Sequence, residues 1–184
     1  MKRIEWFMNM LYYCNYMIMY KIYSGMDYLL FSIFDNRCTR KFCKSDGYWK
    51  YVDNTKRMYN RVRWSKHKNF SVRILSSADT CMIFFISIVW FAILNMTEAI
   101  MNRMNLSVYG LFTDSEGLIL IALIAYVLLI YFTHNVFIDR NDKYISYFKK
   151  FSKQKFRKLF VWYVLSYGVA IACCYFSLKF IVHI

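Results

Sequence analysis

Three long stretches of the chain are apolar on every side of a helix. The first runs from about 77 to 101, around the unbroken core "TCMIFFISIVWFAIL" (Thr80–Leu94). The second is "GLILIALIAYVLLIYF" (Gly117–Phe132), continuing to about 138. The third, "LFVWYVLSYGVAIACCYFSL", covers 159–178. A hydrocarbon core of about 30 Å needs about 20 apolar residues as helix, and each stretch supplies them. Buried helices of a soluble protein normally keep a polar stripe, which these lack. The pattern therefore predicts an all-α integral membrane protein with three transmembrane helices.

The N-terminal pattern is different. Glu5, Asn9, Tyr12, Tyr16, Tyr20, Tyr23 and Asp27 recur at steps of three and four, so they share one helix face. Trp6, Phe7, Met10, Leu11, Met17 and Ile18 fill much of the remainder. Polar-tipped tyrosines opposite an apolar face suit a membrane–water interface. Residues 4–34 are expected to form an interfacial amphipathic element, broken or bent at Ser24–Gly25 with Met26–Phe34 as a second short piece, and with Tyr12, Tyr16, Tyr20 and Tyr23 as its stripe. A fourth span over the same residues is the alternative. The expected organisation is thus 1–36 as N-terminal interfacial helices, 37–75 as a basic, aromatic segment, and 76–184 as the three-helix membrane region.

Composition supports helices and a membrane. Hydrophobic residues make up 59% of the chain, above the roughly 45–50% of a soluble domain. Proline is absent and there are 5 glycines, so helix breakers are scarce. Six cysteines are scattered through apolar and basic stretches and suit reduced thiols better than a disulfide framework. No cleavable signal peptide is expected, since no small-residue cleavage site follows Lys2 and Arg3.

The formal net charge is +14, and its placement decides what it means. Twelve Lys/Arg lie between Arg37 and Arg73, and eight more between Arg140 and Lys158. Between the first two spans there is only Arg103, beside Asp114 and Glu116. Basic, poor, basic is the alternation of the positive-inside rule. It places both basic regions and the N-terminus in the cytoplasm, and the C-terminus outside, in a bacterial-type inner membrane. Anionic lipid is then the expected partner, in preference to nucleic acid. The stretch "KKFSKQKFRK" interleaves Phe151 and Phe156 with Lys149, Lys150, Lys153, Lys155, Arg157 and Lys158. Cations near an anionic leaflet contribute about 1 kcal/mol each, and aromatics can insert beside them.

Candidate chemistry is sparse. There is no Gly-rich phosphate loop, no H-E-x-x-H and no G-x-S-x-G. Arg61 and His67 match a loose R-x5-H spacing that could serve RNA cleavage, His67 as acid or base and Arg61 on phosphate. A basic juxtamembrane face is the simpler account. Cys38 and Cys43 lack a second ligand pair, so neither metal nor cofactor is expected. Within the spans, Asp79, Glu98 and His134 are the ionisable candidates, each near a water-accessible end. Gly168 and Ala172 make a small-xxx-small step that permits close helix approach, within the chain or in a homo-oligomer.

The aromatic N-terminal "YKIYSGMDYLLF", the three apolar spans and the aromatic–basic link "HNVFIDRNDKYISYFKKF" resemble, in layout, small multi-pass bacterial membrane proteins of unassigned function. The resemblance covers most of the chain and transfers no site residue. It implies service as a toxin-immunity protein or as a membrane component of phage defence. The functional expectation is a non-enzymatic membrane protein acting through protein or lipid contacts. The alternatives are an oligomeric pore or membrane-perturbing effector, and a membrane-tethered RNA-binding accessory using Arg61 and His67.

Overall fold

The structure, a computed structural model, describes residues 2–63, 72–104 and 116–182. All the regular structure in them is helical. In chain order the helices are α1 (Lys2–Phe34), α2 (Arg37–Phe42), α3 (Asp46–Arg63), α4 (Val72–Arg103), α5 (Glu116–His134), α6 (Lys143–Phe151) and α7 (Phe156–Val182). A π-helical turn, Asn135–Asp139, and a 3-10 turn, Arg140–Asp142, join α5 to α6.

Three helical segments are long and apolar enough to cross a membrane: Arg73–Arg103, Leu118–Asp139 and Phe156–Lys179. The shortest has 22 residues, about 33 Å of helix. These are the three stretches expected from the apolar pattern, extended at their ends by a few polar residues. The protein is an all-α membrane protein with three candidate spans. α1 is not among them.

α1 corrects the expectation for residues 4–34. It is one unbroken helix of 33 residues through Ser24–Gly25. A single interior glycine costs only about 1 kcal/mol against alanine, too little to break a helix this long. Met8 to Tyr16 are all buried. Nine consecutive buried residues cover every side of two helical turns, so this stretch is a core helix and not a surface one.

The chain divides into two compact units, residues 15–79 and residues 1–14 with 80–184. This partition differs from the expected boundaries at 36 and 75, because α1 and α4 each run through a boundary.

In the unit of residues 15–79, Asn36 caps α2. Its side chain accepts from Thr39 N, and the Thr39 hydroxyl serves the Asn36 backbone N–H, a reciprocal capping box. Lys56 of α3 pairs with Asp35 and lies over the Phe31 ring. Tyr48 donates to the Phe34 carbonyl, and Trp49 Nε1 donates to that of Cys43. Tyr23 and Ser77 share a hydroxyl hydrogen bond of 2.9 Å, and the Arg73 guanidinium lies 4.6 Å over the Tyr23 ring. Such hydrogen bonds and cation–π contacts give this short segment its order, in place of a large apolar core.

In the other unit, α4 is tied on one side to α5. Trp90 Nε1 donates to Thr133 Oγ1 at 3.0 Å, and the Tyr126 hydroxyl donates to the Ser87 carbonyl at 2.7 Å. It is tied to α7 through Tyr167, which donates to the Cys81 carbonyl and packs its ring 4.7 Å from that of Phe85. Polar side chains that cap carbonyls across helices are a common means of joining spans, since lipid offers them no other partner.

Candidate functional site

Among the described residues, polar and aromatic groups converge where the start of α1 meets the α5–α6 link. Three features of the sequence build it. α6 repeats Tyr144, Tyr147, Phe148 and Phe151 at the spacing of one helix face. α1 presents Glu5, Trp6, Asn9, Tyr12 and Tyr13. The link has no glycine or proline, and it turns through one π-helical turn and a left-handed residue, Asp142, at φ 53°. π-turns inside helical runs are often placed at functional positions.

Tyr12 is the hub. It is 2% exposed. Its ring lies 5.3 Å from Phe148, 5.7 Å from Tyr144 and 6.4 Å from the imidazole of His134, the last two edge-on. Tyr13 packs on Phe148 and Phe151, and Trp6 on Phe151. Edge-to-face aromatic pairs of this kind contribute about 0.5–1.5 kcal/mol each beyond the area they bury.

The polar members bind the same elements together. Asn9 Nδ2 donates to the Glu5 carbonyl at 2.8 Å and to the Phe137 carbonyl, in the π-turn, at 2.9 Å. The Asn9 carbonyl oxygen is buried with no hydrogen-bond partner among the described residues. His134 Nδ1 lies 3.1 Å from Asp139 Oδ2, which fixes the imidazole across the π-turn. The Glu5 carboxylate is 3.3 Å from Lys143 Nζ, and it accepts from the Tyr147 hydroxyl at 3.4 Å. Burial, and then the Glu5 charge, push the Tyr147 phenol above its ordinary pKa. Burial alone pushes the Cys14 thiol of α1 up to about 12.

The candidate residues from the sequence are distributed as follows. His134 is in this cluster and is buried. Glu98 is buried too, one turn beyond the buried Asn95 in α4, and Asp79 is half-buried. Glu98 and His134 are therefore enclosed by protein, not opened to water at span ends as expected. Tyr12 and Tyr16 are buried, Tyr20 and Tyr23 half-buried. The stripe expected at the interface is thus drawn into the protein over its first half, because α1 is covered on all sides there.

The six cations Lys149, Lys150, Lys153, Lys155, Arg157 and Lys158 are all exposed. Phe156 between them is half-buried, but Phe151 is fully buried against α1 and so cannot insert into lipid. Gly168 and Ala172 are exposed, and a Cβ added to Gly168 would meet nothing within 4 Å. Their small-residue step lies on an exposed face of α7. Arg61 lies in α3, but its side chain and His67 fall outside the described residues. No group of three or more His, Cys, Asp or Glu able to hold a metal occurs among the described residues.

Sequence reasoning missed Asn9 as a cross-link, Asn95 beside Glu98, and the π-turn. Asn9 was visible only as a polar position in a stripe that equally suits a surface. No protein-family model, curated protein or solved structure matches the chain.

Proposed function

We propose that the chain is a non-enzymatic, multi-pass protein of a bacterial-type inner membrane, acting through contacts with anionic lipid and with a protein partner. The observation that carries this is the rim of six exposed cations along the end of α6, the link after it and the first turn of α7, where a candidate span begins. Only 11% of the most apolar window of that span is buried in the protein, so its remaining surface needs lipid or another apolar partner. Arg157 and Lys158 sit in the first turn of α7, which contains no acidic residue. A helix N-terminus favours negative charge, so an anionic headgroup there would relieve both the cations and the dipole. Each cation near an anionic leaflet adds about 1 kcal/mol.

The alternation of basic and charge-poor segments supports a cytoplasmic N-terminus, with both basic regions on that side. The resemblance in layout adds a toxin-immunity or phage-defence setting. The aromatic and polar cluster around Tyr12 then has a mechanical role: it fixes the basic link against α1, so that the rim is presented in one orientation.

Carbonate extraction and lipid co-purification test the proposal together. The protein should stay in the membrane pellet through a carbonate wash. It should also retain phosphatidylglycerol in preference to zwitterionic lipid after detergent extraction. Changing the six cations to Gln should remove that preference without releasing the protein. Release by carbonate, or retention indifferent to the six charges, would overturn it.

A further inference from the structure

α4 and α7 are joined by the Tyr167–Cys81 hydrogen bond and the Tyr167–Phe85 ring contact. Alongside this contact, with Phe85 itself in the lining, they leave an open groove of about 430 Å³, with Phe7 of α1 also on its wall. That volume is within the roughly 300–1,000 Å³ of sites that hold small molecules. Val89 and Ala92 form the α4 side; Trp162, Leu165, Val169 and Cys173 run along the α7 side. The one hydroxyl in the lining, of Ser166, donates back to the Trp162 carbonyl at 2.6 Å. The wall therefore offers a ligand no strong hydrogen-bonding group, and the occupant must be hydrocarbon where it touches the groove.

Length and charge narrow the choice. From Trp162 to Cys173 the α7 wall rises by about 16 Å at about 1.5 Å per residue. One leaflet contributes about half of the roughly 30 Å hydrocarbon core, so the groove is one acyl chain deep. The stripe continues in the other direction, one turn before Trp162, to the exposed Lys158. Arg157 stands beside it in the first turn of α7. A charged mouth above a dry, leaflet-deep slot matches a molecule with an anionic head and a hydrocarbon tail.

We propose that the groove between α4 and α7 holds one acyl chain of an anionic phospholipid, with the headgroup phosphate at Lys158 and the neighbouring rim cations. This rests on the membrane reading above and adds to it a defined lipid seat. The basic end of the bundle then binds lipid by shape as well as by charge, and a lipid in that seat fills the gap between the two helices.

The test is photo-crosslinking of the full chain in nanodiscs. The probes are phosphatidylglycerol and phosphatidylcholine, each carrying a diazirine on the same acyl chain. Adducts are mapped by mass spectrometry. With phosphatidylglycerol, adducts at Leu165, Val169 and Cys173 should exceed those at Val164 and Ile171, which are exposed on other faces of α7, by severalfold. Lys158→Gln should bring the phosphatidylglycerol to phosphatidylcholine ratio toward one while leaving the fold intact, since the side chain is exposed. Val169→Trp, at an exposed groove position, should abolish the excess by filling the slot. Adducts spread evenly round α7, equal labelling by the two lipids, or protein–protein cross-links at groove residues in place of lipid adducts would each overturn the proposal. Those results would leave carbonate resistance and rim-dependent lipid retention untouched, so the two proposals fail separately.

Discussion

Asn9 donates its amide to the carbonyl of Phe137, 128 residues away in sequence, at 2.9 Å. The bond ties the first turns of α1 to the π-turn that follows α5. The same amide also reaches the Glu5 carbonyl. One side chain therefore satisfies a helix carbonyl and a link carbonyl that lie on different elements.

Replacing Asn9 should separate two effects. Asn9→Leu loses both donated bonds but also removes a buried acceptor that has no partner, so it should cost about 1 kcal/mol. Asn9→Asp keeps two acceptors, donates nothing and buries a charge; it should cost about 3 kcal/mol or more. Thermal unfolding midpoints in detergent should fall in the order wild type, Leu, Asp. Equal midpoints for Leu and Asp would mean the amide is not the tie.

Asp142 should tolerate only residues at ease in the left-handed region. It sits at φ 53°, ψ 29°, immediately before α6. Asp142→Asn and Asp142→Gly should leave stability nearly unchanged. Asp142→Val should lower it by about 1–2 kcal/mol, the cost of a left-handed conformation for a residue with a crowded Cβ. The same detergent unfolding measurement checks it.

Cys14 should resist alkylation. Its thiol is raised from 9.0 to about 12 by burial. A folded-state pKa above the unfolded one means stability is fully present below about pH 9 and lost as pH rises from there toward 12. At pH 8, N-ethylmaleimide should modify the exposed Cys38 quickly and Cys14 only at the rate of unfolding. A mass-spectrometric time course shows the difference, and modification of Cys14 as fast as Cys38 would contradict its burial.

The Glu5–Lys143 pair should matter little by itself. Lys143 is 38% exposed, so water screens the pair. A double-mutant cycle with Glu5→Gln and Lys143→Gln should return a coupling of about 0.2–1 kcal/mol. A coupling of several kcal/mol would place the pair in a drier setting than its exposure implies.

The spans could be read directly because lipid demands unbroken apolar length, and that is a local property of the stretches around Thr80–Leu94, Gly117–Phe132 and 159–178. The place of α1 could not. A stripe of Tyr12, Tyr16, Tyr20 and Tyr23 has the same period whether it meets headgroups or other aromatic rings. What decides is Phe148 and Tyr144, far along the chain. The π-turn had no local signature, since "NVFID" contains no breaker. Gly168 and Ala172 mark a face open to close approach, but nothing local says whether that face turns inward. In the structure it turns outward. His134 could be picked out as an ionisable group at a span end, but its Asp139 partner and its enclosure by Tyr12 depend on the turn.

We propose a three-span membrane protein with both basic segments on the cytoplasmic side, and cysteine accessibility separates that orientation from its inverse. In a background lacking the native cysteines, Lys44→Cys, Met104→Cys and Lys153→Cys each introduce a thiol at an exposed position. A membrane-impermeant maleimide applied to intact cells should label position 104 alone, and should reach 44 and 153 only after permeabilisation. Labelling of 153 in intact cells, or of 44 and 153 from opposite sides, would contradict the account.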